Sequence, residues 1–182
     1  MQTMAGHPYF YLKKHMKFPF STGLLRLLFP VLLGSAAVVT TACQKEETVD
    51  YAAVDEGHIK KYIADNNITN AQRQASGLYY VPVTTVPTAQ KAVAGKTVSV
   101  LYTGTFLDGK VFDASKNRYT PISFVLGNNQ VIKGWDEGIA LMRKGEKSVL
   151  LIPSALGYKD QQAGSIPPNT VLRFEVELVD IQ

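Results

Sequence analysis

The residues of this chain that could carry chemistry are mainly aromatic, and they concentrate between Tyr102 and Trp135. This stretch has few acids, no histidine and no cysteine. Such a composition is typical of a pocket that binds an apolar group, in which a few polar side chains fix the orientation of the ligand. It does not suggest an activated nucleophile or a metal cage. The sequence therefore predicts an apolar pocket with a few polar groups.

The positions of cysteine and histidine exclude several kinds of site. Cys43 is the single cysteine, so no intrachain disulfide can form. His7 and His15 precede it, and only His58 follows. Residues 77–182 contain neither residue type, which excludes a Ser-His-Asp triad, a Cys-His pair and a multi-histidine zinc site there. We expect no metal and no cofactor.

The net charge of +4 arises from the first part of the chain. The 182 residues include 19 basic and 15 acidic ones, and four of the basic residues precede Cys43, where there is no acid. The remainder is therefore neutral, and no nucleic-acid partner is expected. The length suits one domain with accessory segments.

The first 42 residues have the features of a lipoprotein-type signal peptide. A basic region is followed by a mostly apolar run over residues 27–39, which is short for a membrane span. The sequence Val39-Thr-Thr-Ala-Cys43 resembles the lipobox of bacterial lipoproteins, although Thr40 replaces the usual aliphatic residue. The alternatives are an ordinary secreted protein with a spare thiol, or an uncleaved anchor. Translation could start at Met1 or at Met16.

The residues after Cys43 bear on localisation. No aspartate stands two places after the cysteine, so the familiar inner-membrane retention signal is absent. The run Lys45-Glu-Glu47 is similar to an acidic export tag, or it is simply a solvated tether. We expect a lipid on Cys43 to anchor the protein in the cell envelope, at the outer membrane, on its periplasmic or surface face.

Residues 43–53 are predicted to form a tether and residues 54–75 a short helical segment. From Asp55 to Asn66, the apolar Ile59, Tyr62 and Ile63 share one helical face. This helix could be a dimerising or substrate-collecting arm, or a cap on the main domain. We favour the cap, because the helix is too short for a stable coiled coil. The protein is expected to be a monomer.

Residues 76–182 show the pattern of an α+β domain. Strands are predicted near residues 77–83, 97–103, 111–112 and 148–152, and Asp108-Gly109 marks a hairpin. Apolar and charged residues alternate in the C-terminal segment, so that one face carries Leu172, Phe174, Val176 and Leu178. One helix is predicted between these strands, with Trp135 at its start and Gly145 as its stop. The expected fold is an antiparallel β-sheet wrapped around one short α-helix.

The order of several short motifs resembles the FKBP-type peptidyl-prolyl cis-trans isomerases over roughly residues 95–181. The motifs are weak individually but specific in combination: Tyr102-Thr-Gly, Leu-Asp-Gly, Phe112-Asp113, Val131-Ile132-x-Gly-Trp135, Gly138, Met142, Gly157-Tyr158, Ile166-Pro-Pro and Phe174-x-Val-Glu-Leu. The chain departs from the family at Lys159, where a glycine is frequent, and at Ile122, where an aromatic is common. These departures bear on substrate choice and macrolide affinity.

The resemblance implies a proline-binding pocket with Trp135 as its floor. Its walls would be Tyr102, Phe112, Val131, Ile132, Tyr158 and Phe174, with Ile166 nearby. Asp113 would lie near the bound carbonyl, and the Ile132 N–H would donate to the ligand. Arg118 fits the position of a basic residue that often pairs with the acid and the tyrosine of the pocket. Alternatively, Arg118 is a surface charge. Asp113 could instead initiate a turn.

The implied activity is rotation about X–Pro bonds of exported proteins, which assists their folding. The implied partners are proline-containing polypeptides and immunosuppressant macrolides. Rotation breaks no covalent bond, which agrees with a domain that lacks histidine and cysteine. Two alternatives stay open: a tethered chaperone or binding module with little turnover, and a structural lipoprotein whose apolar pocket is only core.

Overall fold

The strands and helices form one antiparallel sheet with a helix on each face. A computed structural model describes residues 49–115 and 120–182. The described elements, in chain order, are α1 (Tyr51–Asp65), β1 (Gln72–Arg73), β2 (Tyr79–Thr84), β3 (Thr97–Thr105), β4 (Val111–Ala114), β5 (Ile122–Val125), α2 (Lys133–Ala140), β6 (Lys147–Ile152), a 3₁₀ helix (Ser154–Leu156) and β7 (Leu172–Ile181).

The sheet has the strand order β1-β2-β6-β7-β3-β4, and all of its pairs are antiparallel. The long strand β3 pairs with β7 along one edge and with two short strands along its other edge. Its first half pairs with β5, where Val98 lies opposite Phe124, and its second half pairs with β4, where Gly104 lies opposite Asp113. This arrangement places β4 and the end of β5 on the same side of β3, around the start of α2.

The inner face of the sheet carries the main core. The alternation predicted for the C-terminal strand is confirmed, because Leu172, Phe174, Val176 and Leu178 are all buried. Helix α2 packs on this face through Ile139 and approaches β6 closely. A Cβ on Gly138 would lie 2.7 Å from Leu150 Cδ1, so the glycine allows this approach without a shift of the buried leucine. The close packing fixes the depth at which α2 carries Trp135.

Helix α1 covers part of the outer face. Its fully buried Ile59 packs with Tyr79, Leu151 and Val171 in a second apolar cluster. Helix α1 belongs to the same compact unit as the sheet. The interpretation of this helix as a cap on the main domain agrees with this packing.

Three boundaries differ from the predictions. Helix α1 begins at Tyr51, because the Asp50 side chain accepts hydrogen bonds from Ala52 N and Ala53 N; the last predicted tether residues are therefore helical. The predicted helical segment 54–75 also contains the two-residue strand β1. Helix α2 ends at Ala140, before Gly145, whose φ of +84° belongs to the turn that leads into β6.

Among the described residues, no helix is both long enough and apolar enough to cross a membrane.

Strand β5 was not predicted from the sequence. It has only four residues, and it is flanked by Pro121 and by a turn at Gly127.

Candidate functional site: an aromatic pocket

Four aromatic side chains from four different elements meet on the inner face of the sheet. Trp135 from α2 lies edge-on to Tyr102 of β3, with ring centroids 4.9 Å apart, and edge-on to Phe174 of β7 at 5.2 Å. Phe112 of β4 meets Phe174 edge-on at 5.5 Å. Edge-to-face contacts at these distances are favourable for aromatic pairs. The structure thus brings together the predicted floor and three of the predicted walls.

Gly104 makes this arrangement possible. A Cβ at this position of β3 would lie 2.7 Å from both Phe112 Cε2 and Phe174 Cε1. Carbon atoms at that separation clash, so the glycine leaves the space in which the two rings meet. The Tyr102-Thr-Gly motif therefore has a packing explanation: the tyrosine supplies a ring, and the glycine two residues later admits two more.

Asp113 is held by Tyr102. The Tyr102 hydroxyl donates to Asp113 Oδ2 at 2.8 Å, and Ala114 N–H donates to Oδ1 at 2.8 Å. Burial raises the pKa of Tyr102 to about 12, and the hydrogen bond to Asp113, the charge of Asp113 and the neighbouring Tyr158 act in the same direction. The phenol is therefore a neutral donor at physiological pH, and the carboxylate is its acceptor.

The start of α2 provides the floor and a free donor. Val131 and Ile132 are half-buried and pack against the core, and Trp135 is 4% exposed. Ile132 is the N-cap residue, with φ −61° and ψ 149°. Within residues 49–115 and 120–182, the backbone N–H of Ile132 and the indole N–H of Trp135 meet no acceptor. No acceptor among the described residues therefore occupies the predicted donor.

Tyr158 stands at the rim. It follows the 3₁₀ helix Ser154–Leu156, is 38% exposed, and lies close enough to Tyr102 to influence its pKa. The next residue, Lys159, has φ +57°, the conformation for which the more frequent glycine is suited. Ile166, at the end of the following loop, is only 6% exposed and belongs to the core cluster.

Two aromatic side chains near the site were not predicted. Phe106 packs against Phe112 with centroids 5.1 Å apart, and Phe124 of β5 lies 6.0 Å from Trp135. Phe124 is buried although Ile122, which lies two residues earlier on the same face of β5, is 37% exposed, so no alternation in this short strand indicated the second. The predicted site residues Arg118 and Cys43 lie outside the described residues.

A separate groove of about 720 Å³ lies on the opposite face of the sheet. Its walls include Val83, Leu101 and Val149, and the Lys147–Glu177 ion pair of 2.9 Å. Of the four clustered aromatic residues, only Tyr102 borders this groove.

No group of three His, Cys, Asp or Glu side chains in the described ranges is arranged to hold a metal ion. The aromatic cluster is accordingly the candidate site.

The fold and the site define an α+β domain with a cluster of aromatic side chains on the inner face of its sheet. The model of the FKBP-type peptidyl-prolyl cis-trans isomerase family matches residues 88–179. The chain is 57% identical over 94 residues to FK506-binding protein 2 of Kluyveromyces lactis, covering 50% of this chain and 67% of that protein. It is 52% identical over 94 residues to the peptidyl-prolyl cis-trans isomerase FPR2 of Saccharomyces cerevisiae, covering 50% and 70%.

Among solved structures, FkpA from Escherichia coli is similar with a TM-score of 0.62 and 38% identity. The match covers 72% of this chain and 61% of the FkpA chain. The chain therefore belongs to the FKBP-type peptidyl-prolyl cis-trans isomerase family. The predicted family, the fold class and the isomerase activity are confirmed at this level.

Proposed function

We propose that this chain accelerates rotation about X–Pro bonds in exported proteins, and that the aromatic cluster around Trp135 is the site at which it does so. The observation that carries the proposal is the convergence of Trp135, Tyr102, Phe112 and Phe174 from α2, β3, β4 and β7. Their rings form an apolar cluster beside the Asp113 carboxylate, which accepts hydrogen bonds from Tyr102 and Ala114.

The chemistry that such a pocket must accomplish is limited to bond rotation. The barrier of about 18–20 kcal/mol comes from amide resonance, and spontaneous exchange takes about 10–100 s. A millionfold acceleration requires the barrier to fall by about 8 kcal/mol. The twisted amide is less polar than the planar one, because resonance separates charge. An aromatic pocket that binds the twisted form better than the planar form therefore accelerates the exchange.

Polar groups at the edge of the pocket hold the peptide in place. In this proposal, the Tyr158 hydroxyl and the Ile132 N–H each donate to a peptide carbonyl. Asp113 acts by orientation and electrostatics and not as a general base, since rotation about the X–Pro bond transfers no proton; Tyr102 and Ala114 hold its two oxygens. Holding the flanking carbonyls fixes the chain on either side of the bond, so that binding energy is directed to the rotation.

An assay with an X–Pro peptide tests the proposal. Wild-type protein is compared with Tyr158→Phe, which removes one hydroxyl at the rim, and with Tyr51→Phe, the same change at an exposed tyrosine of α1. The Tyr158 variant should lose about 3- to 10-fold in kcat/KM, as expected for one hydrogen bond, and the control should lose nothing. A wild-type rate equal to the spontaneous rate contradicts the enzyme assignment; retained peptide binding would then indicate a binding module.

Macrolide binding follows from the same pocket. Relatives of this chain are named FK506-binding proteins. We expect FK506 to compete with the peptide, with an affinity that depends on Lys159 and Ile122. Lys159→Gly restores the frequent residue at a position with φ +57°. Tighter FK506 binding by this variant supports the proposal, and binding of FK506 without inhibition of the isomerase contradicts a shared site.

The proposed location is the outer membrane, through a lipid on Cys43. The support is the sequence alone: the basic and apolar leader, the lipobox-like Val39-Thr-Thr-Ala-Cys43 and the Lys45-Glu-Glu47 run. Cells given a fatty-acid probe should label the wild type but not Cys43→Ala; a labelled variant contradicts the assignment. Membrane fractionation and protease access to intact cells then separate the periplasmic and surface faces, and light scattering tests the proposed monomer.

A further inference from the structure

The turn that carries Tyr158 is tied to helix α1 by one buried carboxylate. Asp55 is 1% exposed, although aspartate is rarely buried without a partner. Its Oδ2 accepts hydrogen bonds from Ser154 N at 2.8 Å and from Ser154 Oγ at 2.6 Å. These bonds span 99 positions of the chain, and they join α1 on the outer face to the 3₁₀ helix after β6.

Ser154 in turn holds both neighbours of Tyr158. Its carbonyl oxygen accepts from Gly157 N and from Lys159 N, each at 2.9 Å. Tyr158 lies between these two donors, so the position of Ser154 helps to set the path of its backbone, together with the bond from Gln161 N to the Tyr158 carbonyl at 3.1 Å. An unbroken series of hydrogen bonds therefore runs from Asp55 through Ser154 to the residues on either side of Tyr158.

The Tyr158 side chain is less enclosed than the other rings of the site. It is 38% exposed and is not among the residues of the apolar cluster that includes them. The position of such a side chain depends on its backbone, and small displacements of a positioning group reduce catalysis strongly. The family match begins at residue 88, so Asp55 lies outside the part of the chain that defines the family.

We propose that Asp55 is a positioning residue for the isomerase reaction: through Ser154 it fixes the turn that presents the Tyr158 hydroxyl to the substrate. Helix α1 is then a functional part of the site as well as a cap on the sheet. The inference rests on the proposed role of Tyr158 in substrate binding, which Tyr158→Phe tests separately.

A double-mutant cycle on the full-length protein tests this inference. Asp55→Ala removes both acceptor bonds, and Asp55→Asn keeps an oxygen that can accept them. Asp65→Ala is the control, because that side chain is 57% exposed on the same helix. Each is measured in the wild-type and in the Tyr158→Phe background, as kcat/KM corrected for the folded fraction. We expect Asp55→Ala to lose about 3- to 10-fold with Tyr158 present, the value of one hydrogen bond, and less than about 2-fold in the Tyr158→Phe background.

The other variants give the remaining outcomes. Asp55→Asn should recover most of the loss, and Asp65→Ala should lose nothing. If Asp55→Ala does not fold, Ser154→Ala replaces it, since this change removes only the 2.6 Å side-chain bond. Equal losses in both backgrounds, or no loss, overturn the inference while the isomerase assignment stands. No loss in Tyr158→Phe alone overturns both the role of Tyr158 and this inference, and an inactive wild type overturns the proposed function itself.

Discussion

The Tyr102 hydroxyl donates a hydrogen bond of 2.8 Å to Asp113 Oδ2, and the ring of the same tyrosine lies edge-on to Trp135 at 4.9 Å. One side chain thus forms a wall of the pocket and orients its acid. The bond connects β3 to β4 at the point where a register shift between Gly104 and Thr105 interrupts their pairing. The polar and apolar parts of the site therefore depend on each other.

Tyr102 should make the stability of the fold sensitive to high pH. Its pKa is raised to about 12 in the folded chain, mainly by burial, from about 10 in an unfolded chain. Its contribution is complete below the unfolded pKa and is lost as the pH rises through the folded value. The free energy of unfolding in urea should fall more steeply between about pH 10 and pH 12 in the wild type than in Tyr102→Phe. Identical slopes would show that Tyr102 titrates normally.

Two glycine-to-alanine substitutions should have opposite effects. In Gly104→Ala, the new Cβ would lie 2.7 Å from Phe112 and Phe174, and we expect a loss of about 1–3 kcal/mol in stability together with weaker proline-peptide binding. Gly57→Ala adds the same methyl group to α1, where nothing lies within 4 Å, and should stabilise by about 0.5–1 kcal/mol. Thermal unfolding and peptide binding measure both, and a tolerated Gly104→Ala would contradict the packing explanation.

The candidate site residues could be chosen from the sequence because they lie in short motifs that follow one another in the same order as in the family. The aromatic residues, the Asp108-Gly109 hairpin and the alternation of β7 are all local signals, and the structure contains each of them. Periodicity also identified Ile59 on the buried face of α1. A local sequence pattern was therefore enough to predict burial wherever the face of a strand or helix on which a residue lies determines its neighbours.

What could not be predicted depends on contacts between distant parts of the chain. The sequence predicts that the helix begins at Asp55, yet Asp50 caps the helix and Asp55 is buried against Ser154. Nothing near Asp55 in the sequence indicates a partner 99 positions away. Distant contacts also follow the end of α2: the Met142 carbonyl accepts from the Ala92 N–H, and the Lys144 N–H donates to the Gln90 carbonyl.

Glu56 should stabilise the junction of α1 with the sheet in a pH-dependent way. Its pKa is lowered to about 2, first by the hydrogen bond from Tyr79 and then by Lys60 and Arg73. A depressed pKa gives stability that is present above about pH 4.5 and is lost as the pH falls towards 2. Glu56→Gln should thus be less stable than the wild type at pH 7, and the difference should shrink on acidification. Asp65→Asn, at an exposed pair with Lys61, is the control; a constant difference across this range would show that the charge is not the cause.

Trp135 is the only tryptophan of the chain, so its fluorescence reports on the pocket floor alone. The indole is 4% exposed, touches the rings of Tyr102 and Phe174, and has an N–H without an acceptor in the described part of the chain. A proline ring bound on the indole would change its surroundings, so an X–Pro peptide should alter the emission intensity in a saturable way. The same peptide with alanine in place of proline should not. Tyr158→Phe should raise the dissociation constant by about 3- to 10-fold, as one lost hydrogen bond implies. An equal response to both peptides, or none to either, would show that proline does not bind on Trp135.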